Sequence, residues 1–168
     1  MTKHKILPIP DATVGKVLGL AEVIYSYGGQ AKISFLSDEL QFRMDELGAV
    51  VDMAELFDLV KVKDGVAVLT IYGEAMSLGT IDDKKRILRR KIPSVEPFKT
   101  AAGILRKYES VKESEILKHI KEKYVISDLE RFHKLFVGWG TYAGLFEYDG
   151  QERTFKLSPL QKPKSQSK

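Results

Sequence analysis

Two pairs of side chains have the types and spacing to bind a metal or move a proton: Glu130 with His133, and Glu115 with His119. A Glu-x-x-His pair puts a carboxylate and an imidazole on one helical face, but carboxylate-bridged metal sites draw further ligands from other helices, usually a second such pair. The sequence has no second Glu-x-x-His. Glu115 and His119 stand one helical turn apart and read as an ordinary surface contact. The third histidine, His4, falls in a terminal arm. With no cysteine in the chain, disulfides, thiolate metal sites and a cysteine nucleophile are excluded. No G-x-S-x-G and no Ser, His and Asp set announces a nucleophile. Nothing matches G-x-x-x-x-G-K-[ST], and "VGKVLG" merely places a lysine after a glycine at the start of an amphipathic helix. The expectation is a protein without catalytic, metal or cofactor residues.

Chemistry of another kind lies in the charges. The 168 residues carry a formal net charge of +4, with 27 basic and 23 acidic side chains. Five of the basic ones (Lys3, Lys5, Lys162, Lys164, Lys168) are in probable tails, so the body carries about −1. Residues 11–80 sum to −6, residues 81–123 to +6 and residues 124–161 to −1. Such a chain is an electrical dipole and not a polycation.

The helix quoted as "RMDELGAVVDMAELFDL" (residues 43–59) has side chains outside its apolar face that are mostly acidic. Asp45 and Glu46 would sit in its first turn, where the macrodipole favours carboxylates. Asp52, Glu55 and Asp58 get no such help; they are either solubilising residues or one contact surface for a basic partner. Opposite a DNA backbone with one charge per roughly 1.7 Å, they would repel. The basic segment "IDDKKRILRRKIP" reads as a helix with Lys85, Arg86, Arg89 and Arg90 opposite Ile81, Leu88 and Ile92. That face is solvated, or it meets an acidic protein surface or nucleic acid, and the two opposite charges are expected to attract within a chain or across a homodimer. In "FVGWGTYAGLF", Trp139 belongs to an apolar stripe, while Gly138, Gly140 and Gly144 each cost up to about 1 kcal/mol in a helix. Close packing of this helix on the first module or on a second subunit would compensate.

The elements that must position these residues follow from periodicity. Val14, Val17, Leu18, Ala21 and Ile24 recur at helical spacing until Gly28 and Gly29. A short helical segment around residues 35–41, the acidic helix, and a hairpin turning at Asp64-Gly65 follow. Asp82 and Asp83 suit the start of the basic helix. The order then recurs: Val95, Phe98, Ala102 and Leu105 share a face; Ser110 with Glu113 and Ser127 with Glu130 read as capping boxes; and two strand-like pieces flank Asp149-Gly150. The fold expected is mainly α with small β hairpins (α+β), as tandem winged helix-turn-helix modules. The divisions are an N-terminal arm (1–10), a first module (11–80), a basic connecting helix (81–92), a second module (93–160) and a polar tail (161–168). No apolar run reaches the roughly 20 residues of a membrane span and no secretory signal opens the chain, so the expected location is cytoplasmic.

"GKVLGLAEVIYSYGG", "DELQFRMDELGAVVDMAELFDLVKVKDGVAVLTIYGEAM", "KKRILRRKI" and "FVGWGTYAGLFEYDGQERTFKLS" together resemble the AAA-associated C-terminal domain, over residues 14–157. That domain is found behind the ATPase of nitrate, sulfonate and bicarbonate-type ABC transporters and as free-standing proteins in archaea. The resemblance implies a regulatory or assembly module, with an ABC-type transporter ATPase as partner in trans because none is seen in this sequence. The alternative is a winged-helix DNA-binding transcriptional regulator using the basic helix and the hairpin lysines.

Overall fold

The computed structural model of the chain describes residues 5–6 and 9–161. Most of the expected arm, and the tail beyond Gln161, lie outside them. The molecule is mainly helical with small sheets, and it divides into two compact units: residues 9–91, and the residues from Ile92 onward together with the short strand β1 (Lys5–Ile6).

In the first unit, Thr13 caps α1 (Val14–Ser26) by accepting the Lys16 N–H. Gly28 and Gly29 end it at φ 89° and 94°, where a Cβ would be strained. Strand β2 (Gln30–Lys32) leads into α2 (Ile33–Leu40) and α3 (Met44–Leu56), followed by the hairpin β3 (Val60–Lys63) and β4 (Val66–Leu69). Asp64 and Gly65 take φ 52° and 75°, the paired left-handed geometry of a two-residue hairpin turn. Strand β2 adds to the other edge of β4, giving the order β2-β4-β3.

Two helices complete this unit, and the first of them has no counterpart in the sequence reading: α4 (Ile71–Leu78), then α5 (Ile81–Lys91). Thr70 docks α4, since its hydroxyl accepts the Gly73 N–H and donates to the Asp58 carbonyl. Gly73 passes so near β3 that a Cβ there would lie 2.1 Å from the Leu59 carbonyl oxygen. The Ser77 hydroxyl contacts the Ala21 carbonyl at 3.1 Å, holding α4 on α1. Thr80 and Asp83 then cap α5 reciprocally, Asp83 N–H to the Thr80 hydroxyl (3.2 Å) and Thr80 N–H to the Asp83 carboxylate (2.9 Å). These bonds from Thr80 hold the Asp83 carboxyl below the usual carboxylate range. The helix expected to connect two modules therefore packs as part of the first unit.

The second unit repeats the order: α6 (Phe98–Leu105), β5 (Val111–Lys112), α7 (Glu113–Lys123), β6 (Tyr124–Val125), α8 (Leu129–Tyr142), β7 (Phe146–Asp149) and β8 (Thr154–Leu157). Its sheet runs β5-β8-β7, matching the first unit strand for strand, while β6 pairs in parallel with β1. Neither expected capping box forms. Helix α7 starts at Glu113 after Lys112 with no side-chain cap, and α8 is capped one residue later than read, by Asp128 accepting the Arg131 N–H at 3.1 Å. The loop after Asp149 is also longer than two residues, with the left-handed conformation at Arg153.

Each unit has its own core. In the first, Leu20, Ile24, Leu47, Met53, Phe57 and Leu59 are fully buried. In the second, Phe136 is the centre, with ring centroids of Phe98, Phe132, Phe146 and Phe155 5.1 to 5.6 Å away, beside the fully buried Trp139. Burial of each such side chain contributes about 1.5–3 kcal/mol.

Candidate functional site

The acidic residues of α3 separate into two groups. Asp52 and Glu55 are exposed on the helix, where alternation with buried Val51, Met53 and Ala54 turns them outward. Asp58 is not on the helix: α3 ends at Leu56, Phe57 closes it, and Asp58 takes the left-handed conformation at φ 58°. Leu59 N–H to the Ala54 carbonyl and Asp58 N–H to the Glu55 carbonyl complete the helix stop. The Asp58 carboxylate is 3.2 Å from the Lys91 ammonium, which also lies over the Tyr72 ring at 4.5 Å. Lys84 pairs with Glu22 at 3.0 Å. Two ion pairs thus tie α5 into the first unit, Lys84 to Glu22 on α1 and Lys91 to Asp58 after α3, and neither lysine is one of the four read as the basic face. Along the same helix Arg86 and Arg90 are exposed, Lys85 and Arg89 half-buried, and Leu88 faces the core.

Three glycines grouped by the sequence do three different things. Gly140 is the close approach, but to its own unit: a Cβ there would meet the Phe146 ring at 2.1 Å. Gly144 is the left-handed residue that stops α8, at φ 72°. Gly138 is exposed, with nothing within 4 Å of its Cβ position. The compensation expected from the first module or a second subunit is supplied for Gly140 by β7, and for Gly144 by the backbone itself.

The histidine geometry differs from its spacing too. His133 Nδ1 is hydrogen-bonded to a carboxylate oxygen of Glu113, not of Glu130, which is exposed. Glu113, with a side chain only 7% exposed, is the hub of a cluster: its other oxygen accepts from the Tyr148 hydroxyl (3.2 Å) and from Arg153 Nε (3.0 Å). Helices α7 and α8, strand β7 and the turn that leads into β8 meet there. Burial first, and then the Glu113 charge, raise the Tyr148 hydroxyl above its ordinary value, and the hydrogen bond to Glu113 makes Arg153 hold its proton more firmly. Sequence reasoning missed this cluster because Ser110 with Glu113 imitates a capping box. His119 turns its Nδ1 to the Glu115 carbonyl, 2.8 Å away, within its own helix. Among the described residues no group of three or more His, Cys, Asp or Glu side chains could hold a metal ion, and no helix is long and apolar enough to cross a membrane.

One surface was not read from the sequence at all. Ile71, Ala75 and Leu78 on α4 and Ile81 at the start of α5 are outward-facing, the three large ones 63% to 75% exposed. Their spacing is helical, but Gly73 in the middle reads as a breaker. Together with the exposed carboxylates of α3 and the exposed arginines of α5, the first unit offers surfaces of three chemistries.

Two units of one topology, without a metal cluster among the described residues, define a small, mainly helical protein built on a repeated helix-and-hairpin plan. The chain belongs to the C-terminal AAA-associated domain family, whose model matches residues 35–149. Neither the curated proteins nor the solved structures gave a match.

Proposed function

We propose that the protein is a non-enzymatic regulatory module of tandem winged helix-turn-helix form, which works by binding a transporter-type ATPase on a separate chain. The acidic outer face of α3 carries this reading. In a DNA-reading helix-turn-helix the second helix of the motif enters the groove, and α3 holds that place here with Asp52 and Glu55 outward. Those carboxylates suit a basic protein surface and oppose phosphates. The exposed Ile71, Leu78 and Ile81 add apolar area of the kind found at the centre of interfaces. Family membership supports an ATPase as the partner.

The test is binding of the purified protein to purified ATPase subunits of nitrate-, sulfonate- and bicarbonate-type transporters, with and without nucleotide. Binding is expected, and joint reversal of Asp52→Lys and Glu55→Lys should weaken it by roughly tenfold or more. Absence of binding to every ATPase, or binding indifferent to the reversal, refutes the reading. The exposed Lys61, Lys63, Arg86 and Arg90 favour DNA as the second reading. Four phosphate contacts would cost roughly 150-fold in affinity between about 50 and 200 mM salt; random duplex DNA that does not bind at the lower salt removes it.

A further inference from the structure

The second unit carries a groove of about 750 Å³ between α6 and α7. Its floor is Ile104, the buried Val111 and the bare backbone of Gly103, above which nothing lies within 4 Å of a Cβ position. Its rim is basic: Lys99 and Lys107 on the α6 side, Lys112 and Lys123 on the α7 side, all exposed. Two carboxylates also line it, the exposed Glu115 and Glu96, which accepts the Thr100 N–H (3.3 Å) and hydroxyl (2.7 Å), and of the lysines Lys112 donates to the Glu152 carbonyl at 3.3 Å. Lys99 and Gly103 lie one turn apart on α6, with Lys107 in the turn that follows it, and Glu115, His119 and Lys123 recur at four-residue spacing along α7. A trough with an apolar floor and a lining of four lysines against two carboxylates is net positive and fits the acidic face of a helix.

The molecule itself bears such a face. Asp45, Gly48, Ala49, Asp52, Glu55 and Leu56 recur at three- and four-residue steps on α3, outside the buried stripe of Leu47, Val50, Val51 and Ala54. Gly48 has nothing within 4 Å of its Cβ position, and Leu56 is 40% exposed. The ridge is narrow at Gly48 and Ala49, acidic at its centre and apolar at its end.

We propose that the α6–α7 groove of one copy receives the exposed face of α3 from a second copy. Lysines of the rim meet Asp52 and Glu55, Leu56 reaches the floor, and the small pair Gly48 and Ala49 lets the backbone approach. Reciprocal exchange closes a dimer, whereas one-way exchange gives an open chain. Because the same face of α3 is the one proposed to bind the ATPase, self-association competes with that partner.

Sedimentation velocity of the full chain, with no ATPase present, tests this independently of the functional reading. At about 25 mM salt the weight-average mass should rise with concentration, and about 300 mM salt should return it to the monomer, because the Debye length then falls below about 8 Å and attraction between exposed charges is largely screened. Asp52→Lys with Glu55→Lys, and separately Lys107→Glu with Lys123→Glu, should each weaken association by roughly tenfold or more. All four positions are exposed, and an unchanged far-ultraviolet spectrum checks the fold. An equimolar mixture of the two variants should associate again, because each supplies the face the other lacks. A parent chain that stays monomeric at low salt overturns the proposal, as does association that both reversals leave intact, or a mixture that remains monomeric.

Discussion

Replacing Glu113 tests whether the buried carboxylate is the fastener of the second unit. Its side chain is 7% exposed and accepts from His133, Tyr148 and Arg153. Glu113→Ala removes all of those bonds and leaves a void beneath the hairpin, a loss of about 2–3 kcal/mol, since hydrogen bonds to a charged group contribute about 1.5–3 kcal/mol before discount. The discount applies because water reaches His133 and Arg153, whose side chains are 35% and 73% exposed. Glu113→Gln keeps the shape and one accepting oxygen, so about 1–2 kcal/mol is expected. The first unit supplies an internal control. There Ile33 N–H donates to the Gly65 carbonyl as Glu113 N–H does to that of Arg153, and isoleucine occupies the corresponding place. Glu113→Ile should therefore cost less than Glu113→Ala, as apolar replacement of a buried charge often does. The assay is urea unfolding followed by fluorescence of Trp139, the only tryptophan and fully buried in α8, so the signal reports this unit. With a slope of about 1 kcal/mol per molar urea, the alanine midpoint should fall by roughly 2–3 M. An alanine variant whose midpoint stays with the parent, or an isoleucine variant less stable than alanine, would refute the fastener.

Gly138→Ala should stabilise by up to about 1 kcal/mol, because an exposed helical glycine gains propensity at no steric cost; Gly140→Ala should destabilise the same unit, its methyl meeting the Phe146 ring, and thermal melts that rank the two the other way contradict the packing. Gly73→Ala should destabilise the first unit more than Gly48→Ala, since its methyl meets the backbone oxygen of Leu59, which cannot swing aside, whereas Gly48 has nothing within 4 Å of its Cβ position; circular dichroism should then show an earlier loss of helix for Gly73→Ala. The raised Tyr148 hydroxyl gives an alkaline prediction: its folded value lies above the unfolded 10.0, so its contribution is whole below that pH and lost as pH rises through the folded value. Tyr148→Phe should flatten that alkaline fall in the Trp139-monitored unfolding, and an unchanged slope would show that another group governs it.

The order of elements was legible because the inward stripes are long and regular. Val17, Leu20, Ala21 and Ile24 in α1 and Phe132, Phe136 and Trp139 in α8 keep helical spacing over several turns. Helix α4 was illegible for the opposite reason: its apolar stripe faces outward, and its inward side is made by Gly73, Met76 and Ser77, a glycine that permits approach and a serine that bonds a carbonyl. Long-range polar partners were illegible on principle. Helical spacing offered Glu130 to His133, whereas the actual carboxylate is 20 positions away, brought there by folding. Of the candidate surfaces, Asp52 and Glu55 lie outward on α3 as their spacing required, but Asp58 could be placed only with the helix stop in view.

Asp58 and Gly144 hold one position in the two units, and the difference between them shows how charge and backbone were settled together. Each follows the last helix before the hairpin, each has positive φ, and the next residue donates back to the helix, Leu59 to Ala54 and Leu145 to Gly140. Glycine is the low-strain choice there, and the second unit uses it. Aspartate, which visits this region at some cost, stands in the first unit, where two more helices follow the hairpin. Its carbonyl accepts from Thr70 at the start of α4, and its carboxylate meets Lys91 at the end of α5. Among the described residues, β8 in the second unit is followed by a short 3-10 turn over Pro159–Gln161, and Ser158 N–H returns to the Leu145 carbonyl as Thr70 N–H does to that of Leu59. A strained residue is retained where its side chain has helices to anchor. Part of the charge asymmetry along the chain is thereby structural, while Asp52 and Glu55 on α3 are left facing outward as the acidic surface.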